Sequence, residues 1–265
     1  MAKQFDSQVA IVTGAGQGIG FEICRQLCAQ GASVLLNDKD EKFATDAAKK
    51  IKAEGGKCEP LAGDASNVEF VRGMVKAAVQ KFGSLNIAIA NAGITHFGDF
   101  FEYKPEVLQQ VIQLNIMGSF FLAQAAAIQM RDQGKGGRIL FMSSVTGHQS
   151  HKYLAAYGMT KAGLEMLAKN LVMELSPFRI TVNAIAPGAT LTERTLSMEP
   201  HYADTWSTLT PIGKPAIPAD IANAVLFFVS PMSGHVTGQT LIVDGGWTAV
   251  SPYPGEDHFK DVKEK

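Results

Sequence analysis

Residues 13–20 read TGAGQGIG, directly after the apolar run Val9-Ala10-Ile11-Val12 and directly before a stretch of helical period. Four glycines in eight residues at a strand-to-helix turn predict a phosphate cradle, because a helix N-terminus offers free N–H groups and a partial positive charge. The G-x-G-x-x-G form of such a cradle fails, since its third glycine falls on Ile19, and the P-loop form lacks its closing Lys-Ser or Lys-Thr pair. The pattern that fits is T-G-x-x-x-G-x-G, with Gly14, Gly18 and Gly20 fixed. Taken alone, the same glycines are also explained by positive φ and close packing.

On either side of this turn, short apolar runs at 9–12, 33–36, 58–62, 85–90, 138–142, 180–185 and 240–243 alternate with helical patterns. The latter fall at about 18–30, 40–54, 67–82, 105–132, 153–176 and 218–229. The alternation predicts an α/β fold, a single Rossmann-like domain whose doubly wound parallel sheet of about seven strands carries helices on both faces. Ligands of such sheets bind beyond the carboxyl ends of the strands. The domain is expected over 1–250 and includes a substrate loop at 188–218, too long for an ordinary connection. A polar, proline-containing tail at 251–265 reads either as disordered or as docking on a neighbouring subunit.

The chain of 265 residues is 46% hydrophobic and 18% charged, which suffices for one full core. A formal net charge of -1 and the lack of a long basic run argue against nucleic acid or an anionic membrane surface as partner. Cys24, Cys28 and Cys58 are odd in number with no nearby histidine, so they read as buried free thiols, and no metal is expected. The start MAKQFDSQ has no apolar signal core, and no uncharged apolar run approaches the ~18 residues of a membrane span. A cytoplasmic protein is expected.

Asp38 ends the second predicted strand, in VLLNDKD, twenty residues after Gly18. A carboxylate there can accept hydrogen bonds from both adenosine ribose hydroxyls and repels a 2'-phosphate, which favours NAD over NADP. The competing role for Asp38 is to cap the next helix. Lys39 could soften the penalty for a phosphate, whereas Ala15, Gly16 and Gln17 offer that phosphate no cation.

The segment SSVTGHQSHKYLAAYGMTKAG, residues 143–163, holds Tyr157 and Lys161 four apart in a predicted helix, on one face. A free phenol is a poor base at neutral pH, but a nearby ammonium favours the phenolate. Such a pair is common by chance. Ser144 at the end of RILFMS, NAG at 91–93 closing the fourth strand, and Asn115 in LNIMGSF give it company.

With these residues the sequence resembles the short-chain dehydrogenase/reductase family, from about Gln8 to Gly246. Asp64 in GDAS, Pro187-Gly188 with Thr192, and DGG at 244–246 complete the resemblance. The resemblance implies a catalytic set of Asn115, Ser144, Tyr157 and Lys161. Tyr157 would exchange a proton with the substrate oxygen, Ser144 would hold that oxygen, and Lys161 would promote the phenolate and bind the nicotinamide ribose. Asn115 would distort its helix locally and hold a water linking Lys161 to solvent.

The implied cofactor set begins with Gly14, Gln17, Gly18, Ile19, Gly20 and Asp38. It continues through Asp64 and Ala65 near the adenine, and Asn91, Ala92 and Gly93 along the ribose. Pro187, Gly188, Thr190 and Thr192 would fix the carboxamide, with Tyr157 and Lys161 beside them. Ala65 stands where the family more often has valine, which loosens packing near the adenine.

Substrate candidates are His96, His151, Tyr153, Glu193 and Trp206, beside Thr95, Phe97, Gln149 and Ala189. Their polar groups suit a small hydroxylated substrate such as a sugar or polyol. The competing enzyme is an NADPH-dependent 3-oxoacyl-acyl-carrier-protein reductase, whose acidic partner calls for basic residues at the entrance. Here Lys135 is present but Phe178 stands at the second such position. A redox sensor that binds dinucleotide without turnover is the remaining reading. The resemblance also implies a homotetramer, through the helices at 105–132 and 153–176 and through the last strand. Trp247 is a candidate anchor there, or a core residue.

Overall fold

All four residues of β1 (Val9–Val12) are buried, and they alternate: Val9 and Ile11 enter one core cluster, Ala10 and Val12 the other. That period of two, apolar on both sides, belongs to a strand sandwiched between helix layers. The computed structural model, which describes residues 3–250, builds on it a seven-stranded sheet. The further strands are β2 (Ser33–Asp38), β3 (Lys57–Ala62), β4 (Ile87–Ala90), β5 (Gly137–Met142), β6 (Ile180–Pro187) and β7 (Thr240–Val243). All pairings are parallel, in the order β3-β2-β1-β4-β5-β6-β7.

The first helices are α1 (Gly18–Ala29), α2 (Glu41–Ala53), α3 (Val68–Phe82), α4 (Pro105–Ile112) and α5 (Ser119–Gln133). They are followed by α6 (Ala155–Leu175), α7 (Glu193–Met198), α8 (Tyr202–Leu209) and α9 (Pro218–Val229). Ile23, Leu27, Ile51 and Val225 of α1, α2 and α9 cover one face of the sheet. Val71, Met74, Leu122 and Leu164 of α3, α5 and α6 cover the other. Each such side chain, fully buried, contributes about 1.5–3 kcal/mol of transfer free energy. Strand order reverses between β1 and β4, which opens a crevice at their carboxyl ends.

Several expected boundaries shift. β2 and β6 run on to Asp38 and Pro187, two residues past the expected ends. β4 starts at Ile87 because the Gln133 side chain takes both the N–H and the C=O of Leu85, each at 2.9 Å. The helix expected over 105–132 is broken by a π-helical segment, Gln113–Gly118, centred on Asn115. The stretch 188–218, read as a loop, folds into α7 and α8. Thr192 starts α7 by a capping box with Thr195, whose Oγ1 accepts from Thr192 N at 2.8 Å.

Among the described residues, the helical run Pro105–Gln133 is apolar and long enough to cross a membrane by length and composition. Its inner face packs into the core, with Leu122, Ala126 and Met130 buried beneath α3 and the sheet. Cys24, Cys28 and Cys58 are free and buried in the opposite core cluster. The tail 251–265 lies outside the described residues.

Candidate active site

The glycine turn is built by contacts that exclude side chains. Gly14 and Gly18 both sit at φ +59, and a Cβ on Gly14 would fall 2.8 Å from Ala92 Cα. A Cβ on Gly20 would fall 2.6 Å from Asn91 Nδ2 and from Gly14 O. Asn91 fastens the tip of β4 to the turn, its Nδ2 donating to Thr13 O and Gly14 O at 2.9 Å each. Gln17 precedes α1 without capping it through its side chain, and the first turn of α1 carries no acid. Its leading N–H groups are therefore left for a ligand.

Asp38 faces this turn. Its Oδ2 accepts from Gly16 N at 2.9 Å and its Oδ1 from Asp40 N at 3.1 Å. The cap of α2 is Asp40, which accepts from Phe43 N at 3.0 Å, so the capping role considered for Asp38 falls to its neighbour. A Cβ on Gly16 would lie 2.6 Å from Phe43 Cβ and 2.8 Å from Asp38 Oδ2, so position 16 needs glycine for both neighbours. Lys39 is engaged elsewhere, 2.7 Å from Asp64. Burial opposes the ionisation of Asp64, but Lys39 and the hydroxyl and N–H of Ser66 outweigh it and hold the carboxyl below its usual range. Gly14, Gln17, Gly18, Ile19, Gly20, Asp38, Asp64, Ala65, Asn91, Ala92 and Gly93 together line a cleft of about 370 Å³.

A second cavity, of about 570 Å³, opens beside it and shares Ile19, Asn91, Gly93, Thr192 and Arg194 with the cleft. Ser144, Tyr157, Lys161, Pro187, Gly188 and Thr190 line it. Lys161 is buried, its Nζ donating to Met142 O at 2.7 Å and lying 5.3 Å from the centre of the Tyr157 ring. Ser144 lies two residues past the end of β5 and accepts from Thr146 N at 3.3 Å. Asn115 does not face solvent. It is fully buried beneath the cavity floor, its Oδ1 accepting from Ile94 N at 2.9 Å and its Nδ2 donating to Ile94 O and Thr160 Oγ1 at 3.0 and 3.1 Å. A Cβ on Gly93 would be 3.3 Å from both Asn115 Oδ1 and Lys161 Nζ, so both groups pack tightly against that glycine.

The substrate candidates divide. Trp206 lines the second cavity, backed edge-on by Trp247 at 4.8 Å. His151 stands behind it, its ring 5.0 Å from Trp247, its Nε2 buried without a partner, and burial lowers its pKa. Trp247 thus packs within the described chain, between His151 and Trp206. Tyr153 is 46% exposed outside the cavity at φ 67, with Lys152 over its ring. His96 contributes its carbonyl to Tyr103 while its neighbours Thr95 and Phe97 do the lining. Glu193 lies in the cleft at the glycine turn, beside Gly18, because the cap at Thr192 turns the first residue of α7 that way.

Sequence reading missed Arg194, Thr195, Met198, Glu199 and Tyr202, which α7 and α8 bring into the cavity. The signal was the spacing of Thr192 and Thr195 at a helix start. Burial pushes the Tyr202 phenol up to about 12, so this second tyrosine stays a neutral hydrogen-bonding group.

Known proteins share this arrangement. A family model described as enoyl-(acyl carrier protein) reductase matches residues 14–248. The crystal structure of a short-chain type dehydrogenase/reductase from Mycobacterium marinum matches with a TM-score of 0.88 at 30% identity, over 93% of this chain and 98% of that one. The chain belongs to the short-chain dehydrogenase/reductase family. Among curated relatives in that family, an L-rhamnose-1-dehydrogenase of Scheffersomyces stipitis is 36% identical over 93% of this chain and 98% of its own length. An L-rhamnose 1-dehydrogenase (NAD(P)(+)) of Azotobacter vinelandii is 34% identical over 90% and 96%. A 3-oxoacyl-(acyl-carrier-protein) reductase of Staphylococcus aureus is 36% identical over 89% and 96%. As a short-chain dehydrogenase/reductase the chain is an oxidoreductase of CH–OH groups that uses a nicotinamide dinucleotide, and the glycine cradle with its open helix terminus fits that group.

Proposed function

We propose that this short-chain dehydrogenase/reductase oxidises a secondary hydroxyl of a sugar, with NAD+ as acceptor. The observation that carries the reading is the lining of the larger cavity. Phe97 and Trp206 offer aromatic faces, while Thr95 offers a hydroxyl and Glu199 a carboxylate, in the same lining as Ser144 and Tyr157. A sugar ring has apolar C–H faces and a hydrogen-bonding edge, and this mixed wall complements both. The rhamnose dehydrogenases among the relatives support the same substrate class.

In this reading the glycine turn and Asp38 would hold NAD+ in the cleft, and the dinucleotide would supply the acceptor for the hydride, a hydrogen with its two electrons, that leaves the alcohol carbon. Ser144 donates a hydrogen bond to the reacting oxygen, and Tyr157, as phenolate, removes its proton. The buried Lys161 ammonium stands 5.3 Å from the centre of the Tyr157 ring, beside the proton-transferring group. Asn115 ties the turn after β4 to α6, one residue before Lys161, through Ile94 and Thr160. Asp38 selects NAD+, because a 2'-phosphate would meet a carboxylate whose nearest lysine is committed to Asp64.

The carrier-protein reductase is less well supported. Lys135 precedes the amino end of β5, away from the carboxyl ends where the cavity opens in the same subunit. The reading extends to a cytoplasmic homotetramer without nucleic-acid or membrane partners.

The test is an initial-rate survey of NAD+ and NADP+ reduction on deoxyhexoses, hexoses, polyols, simple secondary alcohols and 3-hydroxyacyl thioesters. A sugar, L-rhamnose among those tried, is expected to give the highest kcat/KM, with NAD+ preferred by about tenfold or more, a difference of about 1.4 kcal/mol. Preference for a thioester with NADP+ would overturn the assignment.

A further inference from the structure

Tyr157 and Lys161 are two members of a row on α6, and Glu165 is the third at the same spacing. The first two line the cavity. Glu165 is directed beneath the turn that follows β5, and only 8% of its surface is exposed. A buried carboxylate is costly unless its oxygens are hydrogen-bonded, and both are engaged. Ser143 Oγ donates to Oε1 at 2.5 Å and also approaches Lys161 O at 3.0 Å. His148 Nε2 stands 2.9 Å from Oε2.

These two partners bracket Ser144. Ser143 immediately precedes it, and His148 closes the short 3-10 turn Val145–Gly147 that it caps. Between them, Gly147 lies flush on the helix, since a Cβ there would be 2.7 Å from Glu165 Oε1 and 2.9 Å from Ala162 N. One carboxylate on the helix of Tyr157 and Lys161 thus holds both ends of the segment that carries Ser144. We infer that Glu165, with Ser143 and His148, is a positioning residue that sets the distance between the Ser144 hydroxyl and the Tyr157 phenol. The inference rests on the reading of Ser144 and Tyr157 as the groups that meet the substrate oxygen.

Glu165→Leu and Glu165→Gln in the full-length protein separate this role from simple space filling. Leucine fills the site but makes neither hydrogen bond. Glutamine keeps both: its carbonyl accepts from His148, its amide donates to Ser143 Oγ, and the serine proton turns to Lys161 O. Glu165→Leu is expected to lower kcat by about tenfold or more, with KM and the NADH dissociation constant within about twofold, as for a misplaced reacting group. Glu165→Gln should return kcat to within about threefold of the unmodified enzyme. Hydrogen exchange read on the same proteins should quicken in the leucine variant at residues 143–148 and stay unchanged elsewhere.

A leucine variant with full kcat, or one whose cofactor affinity and melting temperature fall in step with kcat, would overturn the inference. So would unchanged exchange at 143–148. If the enzyme turns over a thioester rather than a sugar, the same kcat comparison is made on that substrate, and only the sugar reading fails. If no substrate is turned over, the exchange pattern alone decides.

Discussion

Asp38 combines two functions that a sequence motif cannot separate. Its two oxygens accept from Gly16 N and Asp40 N, which fixes the glycine turn, and its carboxylate lines the cleft, where the proposed function has it repel a 2'-phosphate. Asp38→Asn keeps an acceptor for the turn and removes the charge. The preference for NAD+ over NADP+, measured as a ratio of kcat/KM, should therefore fall by about tenfold or more, equivalent to about 1.4 kcal/mol. An unchanged ratio would mean that something other than this charge selects the dinucleotide. At this scale the sequence was legible at the strand ends: Asp38 closes β2, Asn91 directly follows β4 and Ser144 lies two residues past β5, and all three line the crevice because parallel strands deliver their carboxyl ends to one edge. It was not legible for His151, Tyr153 and Glu193. Their directions depend on an aromatic stack with Trp247, a left-handed backbone at Tyr153 and a helix cap at Thr192.

Among the elements, those with a strong period were readable. The alternation inside β1 and the apolar stripes of α1, α3 and α6 stand where the sequence predicts them. The π-helical break at Gln113–Gly118 agrees with the local distortion at Asn115 that the family resemblance implies; periodicity alone does not show it, because its cause is tertiary: Asn115 bonds Ile94 and Thr160 in place of regular helical pairing. Helices α7 and α8 are too short to leave a periodic signal. The outer faces of α5 and α6 carry a different message. Phe120, Ile128, Leu171, Leu175 and Phe178 border a groove of about 450 Å³ between them, and Phe120 and Ile128 are exposed. Packing of a second copy along this groove would extend the core across a two-fold interface. Light scattering is expected to give a tetramer at micromolar concentration and a smaller species for Leu171→Arg. A monomeric parent protein, or a tetramer indifferent to that substitution, would refute this interface.

For the whole molecule, the fold joins two spaces that the sequence presents far apart. The glycine turn at 13–20 and Asp38 come from one half of the sheet, and Ser144, Tyr157 and Lys161 from the other. The reversal of strand order between β1 and β4 makes the cleft and the cavity neighbours. An oxidoreductase needs that adjacency, since its cofactor and substrate must exchange hydrogen directly. It does not distinguish a working enzyme from a protein that only binds dinucleotide, and the phenol of Tyr157 does. The deciding measurement is kcat and NADH affinity for Tyr157→Phe beside the unmodified protein, on the substrate that the survey finds best. The account predicts a loss of kcat of about 10³-fold, typical of a missing acid–base group, with the NADH dissociation constant within about twofold. A phenylalanine variant that retains a tenth or more of the kcat would contradict it.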